Sequence, residues 1–262
     1  MIPAELFADD GKKMKMSCFR SFTAAKRDKN PHRDSSFDAY AQEYDRLLSE
    51  ALRTSRDDLG YYVDAKIRNI NRLKRKLPSR VLDFGCGTGR IGQALKKAFP
   101  QAELFGVDLS EASIAIARTN EAYDGLFHIS EGVFEKYAAS FDMVIVAGVL
   151  HHIPKDRRLS TARDIKSLLS PGGELFVFEH NPMSPFARIA MRTCAFDVGV
   201  RPIASAEVIR VLRAAGLDVL VKRYLLFFPA QLKRLTWAEN YLDRVPLGAQ
   251  YLVHAGREQN HL

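Results

Sequence analysis

The segment "VLDFGCGTGR", residues 81–90, constrains the fold more than any other. An apolar run passes into Gly85, Gly87 and Gly89, and the helical pattern "RIGQALKKAF" follows without a spacer. Glycines placed there let a backbone turn sharply from strand to helix and come close to a ligand. Such a unit rarely stands alone, and the rest of the chain repeats the alternation. "AELFGVDLS" ends in an acid, with Ser110 placed to cap the helix "EASIAIARTN". "GLFHIS" is a weaker strand, and "DMVIVAGVL" is apolar on both faces, as a buried parallel strand should be. A helix through Ile165, Leu168 and Leu169 stops at "SPGG", and "ELFVFE" follows as the fifth strand. Helix "SAEVIRVLRAAG" ends at Gly216, a C-cap position, and leads into "LDVLVKRYLLFF"; "AQYLVHAG" is last. The pattern predicts an α/β, doubly wound, mostly parallel seven-stranded sheet. No helix of ordinary form separates the final two strands, so the last one is expected to pair antiparallel.

The domain plan follows from the same pass. Residues 1–35 are polar and mixed in charge, and "KRDKNPHRDSS" reads as a flexible basic tail. Residues 36–262 read as a single domain. It opens with N-terminal helices over 36–78, where Phe37, Tyr40, Tyr44, Leu47, Leu48 and Ala51, then Val63, Ile67, Ile70 and Leu73, recur at helical spacing. The strand core occupies 79–180 and a C-terminal part 181–262. Apolar residues make up 47% and charged residues 27% of the chain, as in an ordinary globular protein. No apolar run approaches the ~20 residues that span a bilayer. Acids in "MIPAELFADDGKKMKM" stand where a signal peptide is apolar, and the three cysteines, Cys18, Cys86 and Cys194, are far apart. Both observations predict a cytoplasmic protein with neither a disulfide framework nor a metal site. A formal charge of +8 allows an anionic partner without choosing one.

The glycine spacing carries chemical information. A dinucleotide-binding loop would read Gly-x-Gly-x-x-Gly, but Arg90 holds the third glycine position here. Asp83, two residues before the first glycine, would be a poor neighbour for a pyrophosphate and suits a cationic ligand. Asp108 ends the second strand 19 residues after Gly89, where a carboxylate can accept both hydroxyls of a ribose.

"VLDFGCGTG", "GVDLS", "FDMVIVAGVLHHI" and "LSPGGELFVFE", in that order and spacing, resemble the class I S-adenosylmethionine-dependent methyltransferases, a Rossmann-like fold. The resemblance covers Phe37 to Glu179 and implies S-adenosylmethionine as cofactor. It implies that Asp83 and the loop Gly85, Cys86, Gly87, Gly89 and Arg90 hold the methionine portion. By the same resemblance Asp108 and Leu109 meet the ribose, and Glu131, Gly132 and Val133 the adenine, with Ala147 at the end of the fourth strand beside them. Tyr44 matches an aromatic that closes over the cofactor from an N-terminal helix; packing within the helix pair is the other reading.

Two segments bear on the acceptor. "NPMS", 181–184, resembles the Asn-Pro-Pro-aromatic loop of adenine- and glutamine-modifying enzymes, but that loop follows the fourth strand. Here it follows the fifth and lacks the second proline and the aromatic, so nucleic acid is not the expected partner. After the fourth strand stands "HHIP" instead. Transfer to a hydroxyl requires alignment at close range and a base, which makes His151 and His152 base candidates. Glu179, His180 and Asn181 are further acceptor contacts, all at carboxyl ends of strands. One histidine of the pair serving only to pack or cap is the other reading.

The expected acceptor is a hydroxyl of a small molecule or of a glycan or lipid-linked sugar. A small-molecule amine and RNA remain the alternatives, the latter because "NRLKRKLPSR" and the tail are basic. "MRTCAFDVGVR" reads as a loop over the site. Leu225, Phe227, Phe228 and Trp237, with Lys233 and Arg234, form either a basic-rimmed apolar surface that could touch a membrane or a connector packed into the core.

Overall fold

A computed structural model describes residues 38, 40–52, 58–129, 132–197 and 199–258. The tail expected over 1–35 lies outside the described residues, as does Glu131.

Seven strands form one sheet in the order β3-β2-β1-β4-β5-β7-β6. They are β1 (Arg80–Phe84), β2 (Glu103–Asp108), β3 (Gly125–His128), β4 (Phe141–Ala147), β5 (Leu169–His180), β6 (Asp218–Leu225) and β7 (Gln250–Gly256). β1 pairs in parallel with both β2 and β4, and β4 with β5. β7 runs antiparallel between β5 and β6, as the missing crossover helix requires.

The period-two alternation of the strands sorts their side chains onto two cores. Leu82, Val144, Val146, Leu175 and Val177 face one side, against α6 (Arg158–Leu168) and α8 (Ser205–Ala214). Val81, Met143, Ile145, Phe176 and Phe178 face the other, against α2 (Leu59–Leu73) and α3 (Gly92–Ala98). The N-terminal helices expected from the apolar spacing are α1 (Tyr44–Ala51) and α2. The remaining helices are α4 (Glu111–Ala117), α5 (Val133–Lys136), α7 (Pro185–Thr193) and α9 (Glu239–Leu242). Ser110 caps α4 by accepting from the Ser113 N–H, and Gly216 closes α8 at φ +79°.

β5 departs from expectation by starting at Leu169, five residues before Glu174. Its pairing with β4 shifts between Phe141↔Leu169 and Met143↔Glu174, so Ser-Pro-Gly-Gly bulges between two paired stretches. Gly172, at φ +74°, makes that bulge, and its N–H donates to the Arg257 carbonyl.

Candidate active site

β1 leads to β2 on one side of the sheet while β4 continues on the other, so the strand order reverses between β1 and β4. Such a switch point leaves a crevice at the carboxyl ends. A cavity of about 1380 Å³ opens there, walled by the loop after β1, the turns after β4 and β5, α1, α2 and α7.

One wall is the glycine loop. Gly85 has φ +76°, and a Cβ on it would lie 2.4 Å from Val149 Cγ2. Gly87, at φ +52°, faces open space with nothing within 4 Å of its would-be Cβ. Gly85, Cys86, Gly87 and Arg90 line the cavity, whereas Gly89 packs outside it against Asn120 and Tyr123. Arg90 is not free for a ligand, since its guanidinium pairs with Asp45 at 2.8 Å.

Two carboxylates stand behind this loop. Asp83 is 1% exposed and accepts a hydrogen bond of 2.8 Å from the Tyr123 hydroxyl. It makes no ion pair among the described residues. Burial pushes its carboxyl up to about 7; Tyr123 opposes that rise and neighbouring Asp108 adds to it. Asp108 ends β2 and is also raised by burial, against hydrogen bonds from the Ser110 and Gly87 N–H groups at 2.9 and 2.7 Å. A third backbone N–H, that of Leu109, also favours its charged form, and the carboxylate keeps a lone pair for a ligand hydroxyl. Leu109 lines the cavity beside it, and the His128 Nε2–H donates to the Leu109 carbonyl at 2.9 Å. Gly132 initiates α5 at φ +67°; Val133 is 1% exposed and belongs to the hydrophobic core, away from the cavity wall.

The opposite wall is a cluster of histidines and acids. Ala147 ends β4, and His151 and His152 sit on a 3-10 turn, Leu150–His152, just after it. His151 Nδ1 lies 2.6 Å from Glu179 Oε2, and its Nε2 lies 3.4 Å from Asp197 Oδ1. The other Glu179 oxygen accepts the Leu150 N–H at 2.7 Å, so Glu179 is held behind His151 and does not line the cavity. His152 Nε2 also lies 3.4 Å from Asp197 Oδ1. His180 completes the cluster edge-on to His151, ring centroids 5.4 Å apart.

This geometry separates the imidazoles. Burial disfavours a charge on His151, but Glu179 and Asp197 outweigh it and push the ring up to about 10. Burial and then the charge of His151 lower both His152 and His180 to about 4. His151 is therefore poorly suited to the base role that "HHIP" suggests. Asn181 faces away, donating from Nδ2 to the Pro246 and Gly248 carbonyls at 3.1 and 2.9 Å.

The sequence reading did not single out three further residues. Asp197 comes from the 3-10 turn Ala195–Asp197 after α7 and is 5% exposed. Tyr123 holds Asp83. Lys66, on α2, lines the cavity at 8% exposure and pairs with no carboxylate among the described residues. Its contacts are the Tyr62 carbonyl at 3.4 Å and the Phe178 ring face at 6.0 Å. Burial, reinforced by Arg90, lowers its ammonium to about 8.

Tyr44 does face the cavity, and burial followed by Asp197 and Cys194 raises its phenol well above the usual range. Phe227 and Phe228 line the cavity and Leu225 is core, while Trp237 is 66% exposed; the two readings of that segment each hold for part of it.

Residues 82–175 match a family model described as a methyltransferase domain. The sheet order and the four motifs lie in and around that span. These findings support a class I S-adenosylmethionine-dependent methyltransferase. A trans-aconitate 2-methyltransferase of Deinococcus radiodurans is 28% identical over 72% of this chain and 82% of its own length. A ubiquinone biosynthesis O-methyltransferase of Nitrosococcus oceani is 30% identical over 58% and 64%. A malonyl-[acyl-carrier protein] O-methyltransferase of Halalkalibacterium halodurans is 30% identical over 40% of each chain. Across several of these relatives the match spans only 40% to 64% of their length.

Among solved structures, an S-adenosylmethionine-dependent methyltransferase from Thermotoga maritima, described as a possible histamine N-methyltransferase, superposes with a TM-score of 0.63 at 19% identity, covering 87% of this chain and all of that one. One from Archaeoglobus fulgidus gives 0.59 at 19% identity over 80% and 98%. At that identity the likeness establishes the fold. S-adenosylmethionine, the cofactor of such methyltransferases, fits what the cavity offers: a buried carboxylate with no cationic partner among the described residues, a second at the end of β2, and an open glycine turn between them. No described helix is long and apolar enough to cross a membrane.

Proposed function

We propose that this protein transfers a methyl group from S-adenosylmethionine to an oxygen of a small, negatively charged acceptor. The observation that carries the reading is the single cavity, with the Asp83 loop on one wall and the histidine cluster on the other. Placing both partners in one cavity turns a bimolecular displacement into an oriented one.

When bound, the cofactor supplies an electrophilic methyl group on a sulfonium. Asp83 offers a carboxylate to its ammonium, with Tyr123 fixing the carboxylate's orientation. Gly85, Cys86 and Gly87 let the backbone approach the methionine portion, and Asp108 takes the ribose hydroxyls. Gly89 shapes that loop from outside the cavity, and Arg90, on its wall, ties the loop to α1 through Asp45. Leu109 and Ala147 give apolar contact, and Gly132 and Val133 set the start of α5 below the adenine end. Tyr44 closes the cavity from α1.

On the opposite wall, His152 and His180 present uncharged imidazoles to the acceptor oxygen, while Glu179 and Asp197 hold His151. Lys66 provides the charge that an acidic acceptor needs in a buried place, because a lone ammonium there is costly until an anion joins it. Two of the relatives are named O-methyltransferases and one a trans-aconitate methyltransferase, in keeping with an acidic oxygen acceptor.

The test uses methyl-labelled cofactor and a panel of small carboxylic acids, phenols and amines. Label entering acids or phenols, and lost in Asp83→Ala, supports the reading. Label entering amines alone, or none of the panel despite cofactor binding, removes it.

A further inference from the structure

We propose that His151, His152 and Asp197 form a binding site for one divalent first-row transition-metal ion. His151 Nε2 and His152 Nε2 each lie 3.4 Å from the same Asp197 Oδ1. The three ligand atoms all fall within 4.8 Å of one another. An ion held at about 2.1 Å from each ligand in tetrahedral geometry sets ligands roughly 3.4 Å apart. The two measured separations match that spacing, and they exceed what a good hydrogen bond would adopt.

The surroundings supply an independent argument. Glu179 Oε2, 2.6 Å from His151 Nδ1, fixes the proton on that nitrogen. The Nε2 edge of the ring faces Asp197 Oδ1, and an ion that displaced the Nε2 proton would meet that nitrogen's lone pair and the carboxylate oxygen together. A carboxylate behind the distal nitrogen of a ligating histidine is the usual outer support of such a site. Glu179 cannot swing away, because its other oxygen holds the Leu150 N–H.

Charge points the same way. Glu179 and Asp197, both almost fully buried, set two carboxylates against the one His151 ring. One proton on His151 leaves one of them unbalanced. A divalent ion among neutral rings balances both. Two nitrogens and one oxygen form a donor set that suits zinc, manganese or iron(II) rather than calcium or magnesium.

His152 and Asp197 both line the cavity, so coordination positions remain open on that side. Resting on the proposed acceptor wall, the inference assigns such a position to the acceptor's hydroxyl or carboxylate oxygen. The ion would lower the pKa of a bound hydroxyl, whose proton leaves to solvent, and His152 would act as ligand rather than base. Asp197 would also gain a role in closing the chain over the cavity, since it reaches the cluster from beyond α7.

The test uses the full chain without an affinity tag, stripped with chelator and dialysed against zinc or manganese, with metal content measured. One ion per chain is expected. Asp197→Asn and His152→Asn should each weaken binding about 100-fold or more, and Glu179→Gln about 10- to 100-fold. Circular dichroism and cofactor titration keep a misfolded variant from passing as a ligand loss. A folded, cofactor-binding wild type that holds no ion overturns the proposal, as does binding unchanged in Asp197→Asn. Full methyl transfer by the stripped protein overturns the metal site and leaves the proposed activity standing. A bound ion with no transfer to any acceptor supports the metal site and removes the activity.

Discussion

His151 Nδ1 and Glu179 Oε2, 2.6 Å apart and both nearly solvent-free, tie the turn after β4 to the end of β5. The pair spans the two strands that face the acceptor side of the cavity, so its geometry sets where both imidazoles of "HHIP" point. Glu179→Gln keeps the shape but removes the charge, and one of its two partners must lose its bond. We expect kcat to fall about 100-fold, with cofactor affinity nearly unchanged and stability down by about 1–3 kcal/mol. Isothermal titration with the cofactor, beside kinetics, separates the effects. A cofactor affinity that falls as far as kcat would show that Glu179 serves the other wall.

The fold and the cofactor side were legible because their signals are local. Asp83, the glycines and Asp108 sit at strand ends, at spacings that one turn of backbone fixes. The acceptor side assembles from distant segments. Asp197 reaches His151 across 46 residues and comes from a stretch that reads as a loop. Lys66 carries a local signal: it lies three residues after Val63 and four before Ile70, on the apolar face of α2. A charge on that stripe marks a buried ammonium. Tyr123 sits in a connector between α4 and β3, where no periodicity points it at Asp83. The early start of β5 escaped because Pro171, Gly172 and Gly173 read as a stop, though the chain bulges there and resumes its pairing.

Asp83 predicts a pH dependence. Its folded carboxyl is raised to about 7 from the 3.8 of an exposed aspartate, so the cofactor-free fold favours the protonated form. That preference is fully present below pH 3.8 and is lost as pH rises through about 7. Across this window the wild type should lose stability relative to Asp83→Asn by up to ~1.4 kcal/mol per pH unit. A cationic ligand reverses the preference, so cofactor binding near pH 6 should release a proton and tighten as pH approaches 8. Titrations in buffers of different ionisation enthalpy read that proton directly. Binding without proton release would mean that Asp83 is already ionised.

The glycine loop should answer differently at its two turns. Gly85→Ala meets both a positive φ and Val149 Cγ2 at 2.4 Å, and is expected to cost about 2–4 kcal/mol in thermal unfolding. Gly87→Ala meets only the φ of +52°, so stability should fall by about 1 kcal/mol. Its new methyl group points into the space the cofactor would fill, and cofactor affinity should drop at least about tenfold. Equal effects of the two changes on affinity would place the cofactor away from Gly87.

Lys66 separates the two anions the cavity could receive. In the cofactor-free protein its ammonium is buried with no carboxylate among the described residues, and its folded value of about 8 lies below the ordinary 10.5. The charge therefore costs stability below pH 8, and the cost disappears as pH rises toward 10.5. Lys66→Met should stabilise the cofactor-free protein at pH 7, with a gain that shrinks in alkaline buffer. The same change should raise KM for an acidic acceptor by about 10- to 100-fold, because the acceptor then enters a buried site with no counter-charge. Cofactor affinity should move by less than about threefold. If the dissociation constant of the cofactor rises instead and the acceptor's KM stays put, the ammonium serves the methionine carboxylate, and the acidic-acceptor reading loses its main support.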